Sequence, residues 1–161
     1  MNKKSQAALE FLTTYAWAFI AILITIAAIT YFGVLNPQKI FPDRCTFNVG
    51  FGCDAFVIVD DGADTDKFNL RLKNQLGEVI DVTAFTLKEE DGTTLSCGAQ
   101  APITSWNIGE IKDLAWTDCT FPSSVVSGTK YKMQVEIDFF NSNAGSTYTR
   151  TAAGEVFSTV Q

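Results

Sequence analysis

Four cysteines, a cluster of aspartates and one carboxylate at the head of an apolar stretch are the residues whose types and spacing admit specific chemistry. Cys45, Cys53, Cys97 and Cys119 all lie beyond residue 40. A zinc site wants cysteine pairs two to four residues apart with other soft ligands nearby, and the chain has neither a C-x-x-C nor any histidine. Disulfides are therefore expected, since the even count leaves no orphan. Of the three possible connectivities, Cys45 with Cys53 and Cys97 with Cys119 are the local ones, each tying down a loop-rich region. Asp60, Asp61, Asp64 and Asp66 crowd the acidic stretch 60–66 around Gly62. Oxygen-rich Asp/Gly loops hold Ca²⁺, but this spacing is not that of an EF-hand, so a solvated acidic turn is the expectation and calcium the alternative. No other metal and no cofactor is expected. Without histidine, a Gly-rich phosphate loop or a nucleophile elbow, and with Glu89 and Glu90 explained by a solvated turn, no residue is assigned a catalytic role.

These residues are distributed over two unlike segments. The chain has 161 residues, 47% hydrophobic and 19% charged, with a net charge of −6. One small soluble core would account for those totals, but residues 11–38 contain no charge at all. A helix over residues 7–35 would run about 40 Å, enough to cross a bilayer, and Pro37 marks its expected end. Its apolar residues occupy every face, so lipid or other helices must surround it. The run is too long for a secretory signal peptide, and Lys3 and Lys4 before it keep the N-terminus cytoplasmic and direct the C-terminal segment outward.

Glu10, one or two turns into this helix, costs free energy in lipid unless it snorkels, protonates or finds a partner. The sequence Lys3-Lys4-Ser5-Gln6-Ala7-Ala8-Leu9-Glu10-Phe11-Leu12, followed by Thr13-Thr14-Tyr15-Ala16-Trp17-Ala18, closely resembles the class III signal segment of archaeal type IV pilin-like proteins. The resemblance covers about the first thirty-five residues. It implies that a prepilin-type peptidase removes a basic leader, residues 1–5, on the cytoplasmic side, with cleavage between Ser5 and Gln6. Gln6 then becomes the new N-terminus and Glu10 the fifth residue of the mature chain.

The physical purpose of that arrangement follows from charge. Cleavage creates an ammonium at Gln6, and Glu10 of a neighbouring subunit can neutralise it inside an apolar bundle. At about 4 Å and an effective dielectric near 20 the attraction is of order 4 kcal/mol before desolvation is subtracted. An unpaired buried charge also penalises every wrong axial offset between helices. Ala16, Ala18, Ala21, Ala27 and Ala28 permit close approach of such helices, aromatic residues supply interlocking surface, and Thr13, Thr14, Thr25 and Thr30 can bond back to helix carbonyls.

Beyond a linker at residues 37–46 the pattern changes to alternation, and residues 47–161 read as an all-β domain after the helix at residues 6–36. Strands are expected near residues 55–59, 67–73, 78–87, 93–97, 111–117, 130–140 and 148–157, the second and third forming a hairpin across the Asn74-Gln75-Leu76-Gly77 turn. Seven short strands favour an immunoglobulin-like antiparallel sandwich, giving an α+β chain with Phe85, Trp106, Trp116, Phe139 and Phe157 as core or inter-sheet residues.

From residue 40 onward nine basic residues stand against seventeen acidic ones, a net −8. Scattered lysines and arginines on so acidic a domain exclude nucleic acid as a partner. Three roles fit the sequence: a structural pilin subunit of an extracellular adhesion filament, a single-pass anchored extracellular binding module, and an archaellin of a motility filament. The first implies as partners copies of the chain, a prepilin-type peptidase with its membrane assembly machinery, and the cytoplasmic membrane before assembly. No N-x-S/T sequon occurs, so N-glycosylation is not expected.

Overall fold

The computed structural model describes residues 3–31, 41–62, 65–123 and 125–161, with side chains described from residue 11 onward. The chain divides into two units, Met1–Phe41 and Pro42–Gln161. The first unit contains one helix, α1 (Lys3–Tyr31). The expected helix end at Pro37 lies outside the described residues.

Among the described residues, the second unit has eight strands: β1 (Arg44–Phe47), β2 (Phe51–Val59), β3 (Asp66–Asn74), β4 (Ile80–Glu89), β5 (Ile103–Trp106), β6 (Ile111–Cys119), β7 (Lys130–Asn141) and β8 (Arg150–Thr159). They form a five-stranded sheet in the order β1-β8-β7-β4-β5 and a three-stranded sheet in the order β2-β3-β6. Every neighbouring pair of strands is antiparallel. This is a two-sheet antiparallel sandwich of immunoglobulin-like type.

Alternation builds the core. In β3, Phe68, Leu70 and Leu72 are buried while Lys67, Asn69 and Arg71 face outward. Met133, Val135, Ile137 and Phe139 of β7 and Ala152 and Val156 of β8 supply the facing layer. Two aromatic clusters fill it. Phe51 meets Trp106 at 5.4 Å and Phe139 at 5.5 Å, while Phe68 stacks on Trp116 at 5.2 Å with Phe85 edge-on to the same indole at 6.0 Å. Phe157 departs from the expected core set. It sits on the other face of β8 from the buried Val156 and Ser158, with Lys130 at 5.6 Å and Arg44 at 5.9 Å from its ring.

The structure corrects the expected hairpin between β3 and β4, because the two strands belong to different sheets. Asn74 turns the chain across. Its buried amide donates to the Glu78 carbonyl at 2.9 Å and the Trp106 carbonyl at 3.0 Å, and its Oδ1 accepts the Leu76 N–H at 3.0 Å. Gly77 completes the turn at φ 76°, a left-handed conformation that favours glycine. A turn pinned from below in this way leads β3 out of its sheet instead of folding it back on itself.

Residues 93–97 are also not a strand. Thr94 bridges Lys88 on β4, whereas Ser96 bridges Thr120 just beyond β6, so this segment leaves the edge of one sheet for the edge of the other. Two strands fall outside the expected set: β1, within the residues read as linker, and β5, which has only two register pairs with β4. Gly154 of β8 receives the Phe47 ring of β1, which lies 2.5 Å from where a Cβ would stand, so any side chain there obstructs the docking of β1.

Asn74→Ala leaves the Glu78 and Trp106 carbonyls and the Leu76 N–H without their partner, and is expected to lower unfolding free energy by about 2–3 kcal/mol in urea titration. Asn74→Asp, which keeps only the acceptor, should recover little of that loss.

Candidate functional site

The helix carries the residues assigned to processing and assembly. Lys3, Lys4, Ser5, Gln6 and Glu10 lie on its first turns, and their side chains are outside the described residues. Phe11–Tyr31 is a 21-residue span with mean hydropathy 2.1, none of it buried. At about 1.5 Å per residue it extends roughly 32 Å, close to the ~30 Å thickness of bilayer hydrocarbon. Two of its hydroxyls are satisfied without water: Thr25 Oγ1 donates to the Ile22 carbonyl at 2.7 Å and Thr30 Oγ1 to the Ile26 carbonyl at 2.8 Å. Phe11 and Tyr15, one turn apart, hold their rings 4.3 Å apart.

A pattern finer than the composition runs along this helix. Thr14, Ala18, Ala21, Thr25 and Ala28 follow one another at alternating spacings of four and three, so five small residues share one face. Leu12, Tyr15, Phe19, Ile22 and Ile26 lie on an adjoining face. Spacing within the sequence carries this signal; the alanine content alone does not.

In the second unit Cys45 of β1 is bridged to Cys53 of β2, and Cys97 to Cys119 of β6. The first bridge joins an edge strand of the large sheet to an edge strand of the small one. The second fastens the inter-sheet segment to β6, where Gly98 N–H also donates to the Thr117 carbonyl at 2.8 Å. Together with the pairing of Gln161 N–H to the Ile58 carbonyl at 2.9 Å, these contacts cover parts of the β1, β2 and β6 edges. An oxidising compartment fits two such bridges.

Among its described residues, the acidic stretch does not gather its carboxylates. Asp60 Oδ1 accepts the Gly62 N–H and Oδ2 the Ser127 N–H, both at 3.1 Å, fixing one turn against another. Asp61 pairs with the Lys67 ammonium, which raises the pKa of that lysine. Asp66 is buried at the start of β3 in register with Cys119, while Asp64 lies outside the described residues. Among the described residues, no group of three or more Asp, Glu, Cys or His side chains is arranged to hold a metal ion.

Compared with known proteins, the chain matches no family model and no curated protein. Among solved structures, the crystal structure of the C-terminal domain of wzt matches with a TM-score of 0.42 and 11% identity, over 77% of this chain and 84% of that chain. Likeness at that level carries no functional assignment.

The bridges close loops of unequal length, with sequence separations of 8 and 22. By loop entropy, the paired variant Cys45→Ser/Cys53→Ser should lose roughly 2–3 kcal/mol and Cys97→Ser/Cys119→Ser roughly 3–4 kcal/mol in urea titration. The reverse order would show that strand docking, rather than loop closure, sets the contribution of the first bridge.

Proposed function

We propose that this chain is a pilin-type structural subunit, processed between Ser5 and Gln6, held in the cytoplasmic membrane by α1 and then assembled through that helix into an extracellular adhesion filament. The reading rests chiefly on one observation: a helix apolar and exposed on every face from Phe11 to Tyr31 follows directly on the Lys3-Lys4-Ser5-Gln6 and Glu10 arrangement. Neighbouring copies supply what the helix lacks. The Thr14 to Ala28 face admits close backbone approach, and the adjoining Tyr15, Phe19 and Ile22 interlock in the spaces that remain. In this arrangement the Gln6 ammonium of one subunit meets the Glu10 carboxylate of the next, and the sandwiches are displayed outside. The chain has no catalytic role in this reading; its partners are its own copies and the peptidase and assembly machinery.

A plain membrane anchor accounts for the length and hydropathy of α1 but gives Glu10 no task. Mass spectrometry of the mature N-terminus tests the proposal: a chain beginning at Gln6 is expected, and a mature chain retaining Lys3 and Lys4 would overturn it. Glu10→Ala should leave leader removal intact while filament yield falls by roughly tenfold or more, the loss expected when about 1.4 kcal/mol or more of pairing is removed per contact.

A further inference from the structure

The end of the sandwich opposite Asp43 is formed by the connections β1–β2, β3–β4, β5–β6 and β7–β8. Between the second and the fourth lies an open cleft of about 570 Å³, lined by Glu78, Asn141, Asn143, Tyr148 and Arg150. None of these residues belongs to the sites considered above.

The cleft has a fixed floor and unused groups above it. One oxygen of Glu78 receives the Arg150 guanidinium and the other the Asn141 amide at 2.6 Å. The Asn141 bond and the Arg150 guanidinium hold the Glu78 carboxyl below its ordinary range, so it is ionised at neutral pH and the pair has no net charge. The Arg150 guanidinium also lies over the Phe139 ring, 5.2 Å from its centroid. Asn141 Oδ1 accepts the Asn143 N–H at 2.8 Å and shapes the loop that presents the Asn143 side chain. Among the described residues, the Asn143 amide and the Tyr148 hydroxyl have no partner, and Arg150 donates only to Glu78. The Tyr148 side chain, 69% exposed, follows from a 3-10 turn, Ser146–Tyr148, whose first residue is preceded by Gly145 at φ 80°.

These groups are complementary to one class of ligand. An exposed phenol ring offers a flat apolar surface to the C–H face of a pyranose, while a planar amide and the remaining guanidinium N–H groups match neighbouring hydroxyls in pairs. An anionic ligand would need an uncompensated cation, and Arg150 is already neutralised by Glu78. We propose that this loop-end cleft binds a neutral saccharide ring, with Tyr148 packed on the sugar and Asn143 and Arg150 bonding its hydroxyls. The site belongs wholly to the unit Pro42–Gln161, so it stands or falls independently of leader processing and filament assembly.

The test is binding of the full chain, held in a detergent without a sugar headgroup such as dodecyldimethylamine oxide, to an array of neutral and of sialylated or sulfated oligosaccharides. Neutral oligosaccharides should be retained, with retention falling roughly tenfold in Tyr148→Ala, several-fold in Asn143→Ala and little in Tyr148→Phe. Because both side chains are at the surface, thermal melts of the variants should overlay that of the parent and confirm that loss of binding is not loss of fold. No retention of neutral oligosaccharides, equal retention by Tyr148→Ala, or a preference for the anionic set would each overturn the proposal.

Discussion

The organisation of this chain depends on a helix that offers water no face. From Phe11 to Tyr31 the side chains are predominantly apolar, the Thr25 and Thr30 hydroxyls bond back to the helix, and all of the side chains are exposed on the isolated helix. Burying one large aliphatic or aromatic side chain is worth about 1.5–3 kcal/mol, so a free helix of this kind in water would forgo that gain many times over. Lipid or a bundle of like helices must therefore surround it. Exchange between those two surroundings costs little hydrophobic free energy, because both are apolar, and packing and charge pairing are left to decide which is occupied. In the proposed assembly, the small-residue face from Thr14 to Ala28 and the Gln6/Glu10 spacing act on that choice.

The sandwich solves a separate problem, that of holding two sheets of a domain of about 120 residues together. Two features carry the load between its sheets. Asn74 bonds across them at one end, and the Cys45–Cys53 bridge joins their edge strands along one side. The Cys97–Cys119 bridge and the segment ahead of it cover the outer edge of β6. Most of the paired charges lie on the outside, as with Arg71 and Asp113, whose contacts are 2.6 and 3.0 Å, and there they contribute to solubility more than to stability.

Much of this was legible in the sequence because it rests on local pattern. Continuous apolar residues specified α1, strict alternation specified β3 and β7, and the even cysteine count pointed to disulfides. What escaped depends on distant partners. β1 is four residues long and becomes a strand only by meeting β8 more than a hundred residues later. The Asn74-Gln75-Leu76-Gly77 turn has the composition of a hairpin, but whether it returns the chain to the same sheet is decided by the Trp106 carbonyl beneath Asn74. Phe157 obeyed the alternation of β8 and still fell outside the core, because the alternation sets a period while the sheet on the other side sets which phase is buried. The loop-end cleft, assembled from Glu78 and residues 141–150, has no local signature at all.

In the proposed function α1 passes from lipid into a bundle of its own kind. Electron cryomicroscopy of filaments sheared from the surface of the source cells tests it most directly. Filaments built from this chain are expected, beginning at Gln6, with residues 11–31 packed helix against helix along the axis and the sandwiches outside. Recovery of the chain only as a monomer in the membrane fraction, with no surface filament containing it, would contradict the account.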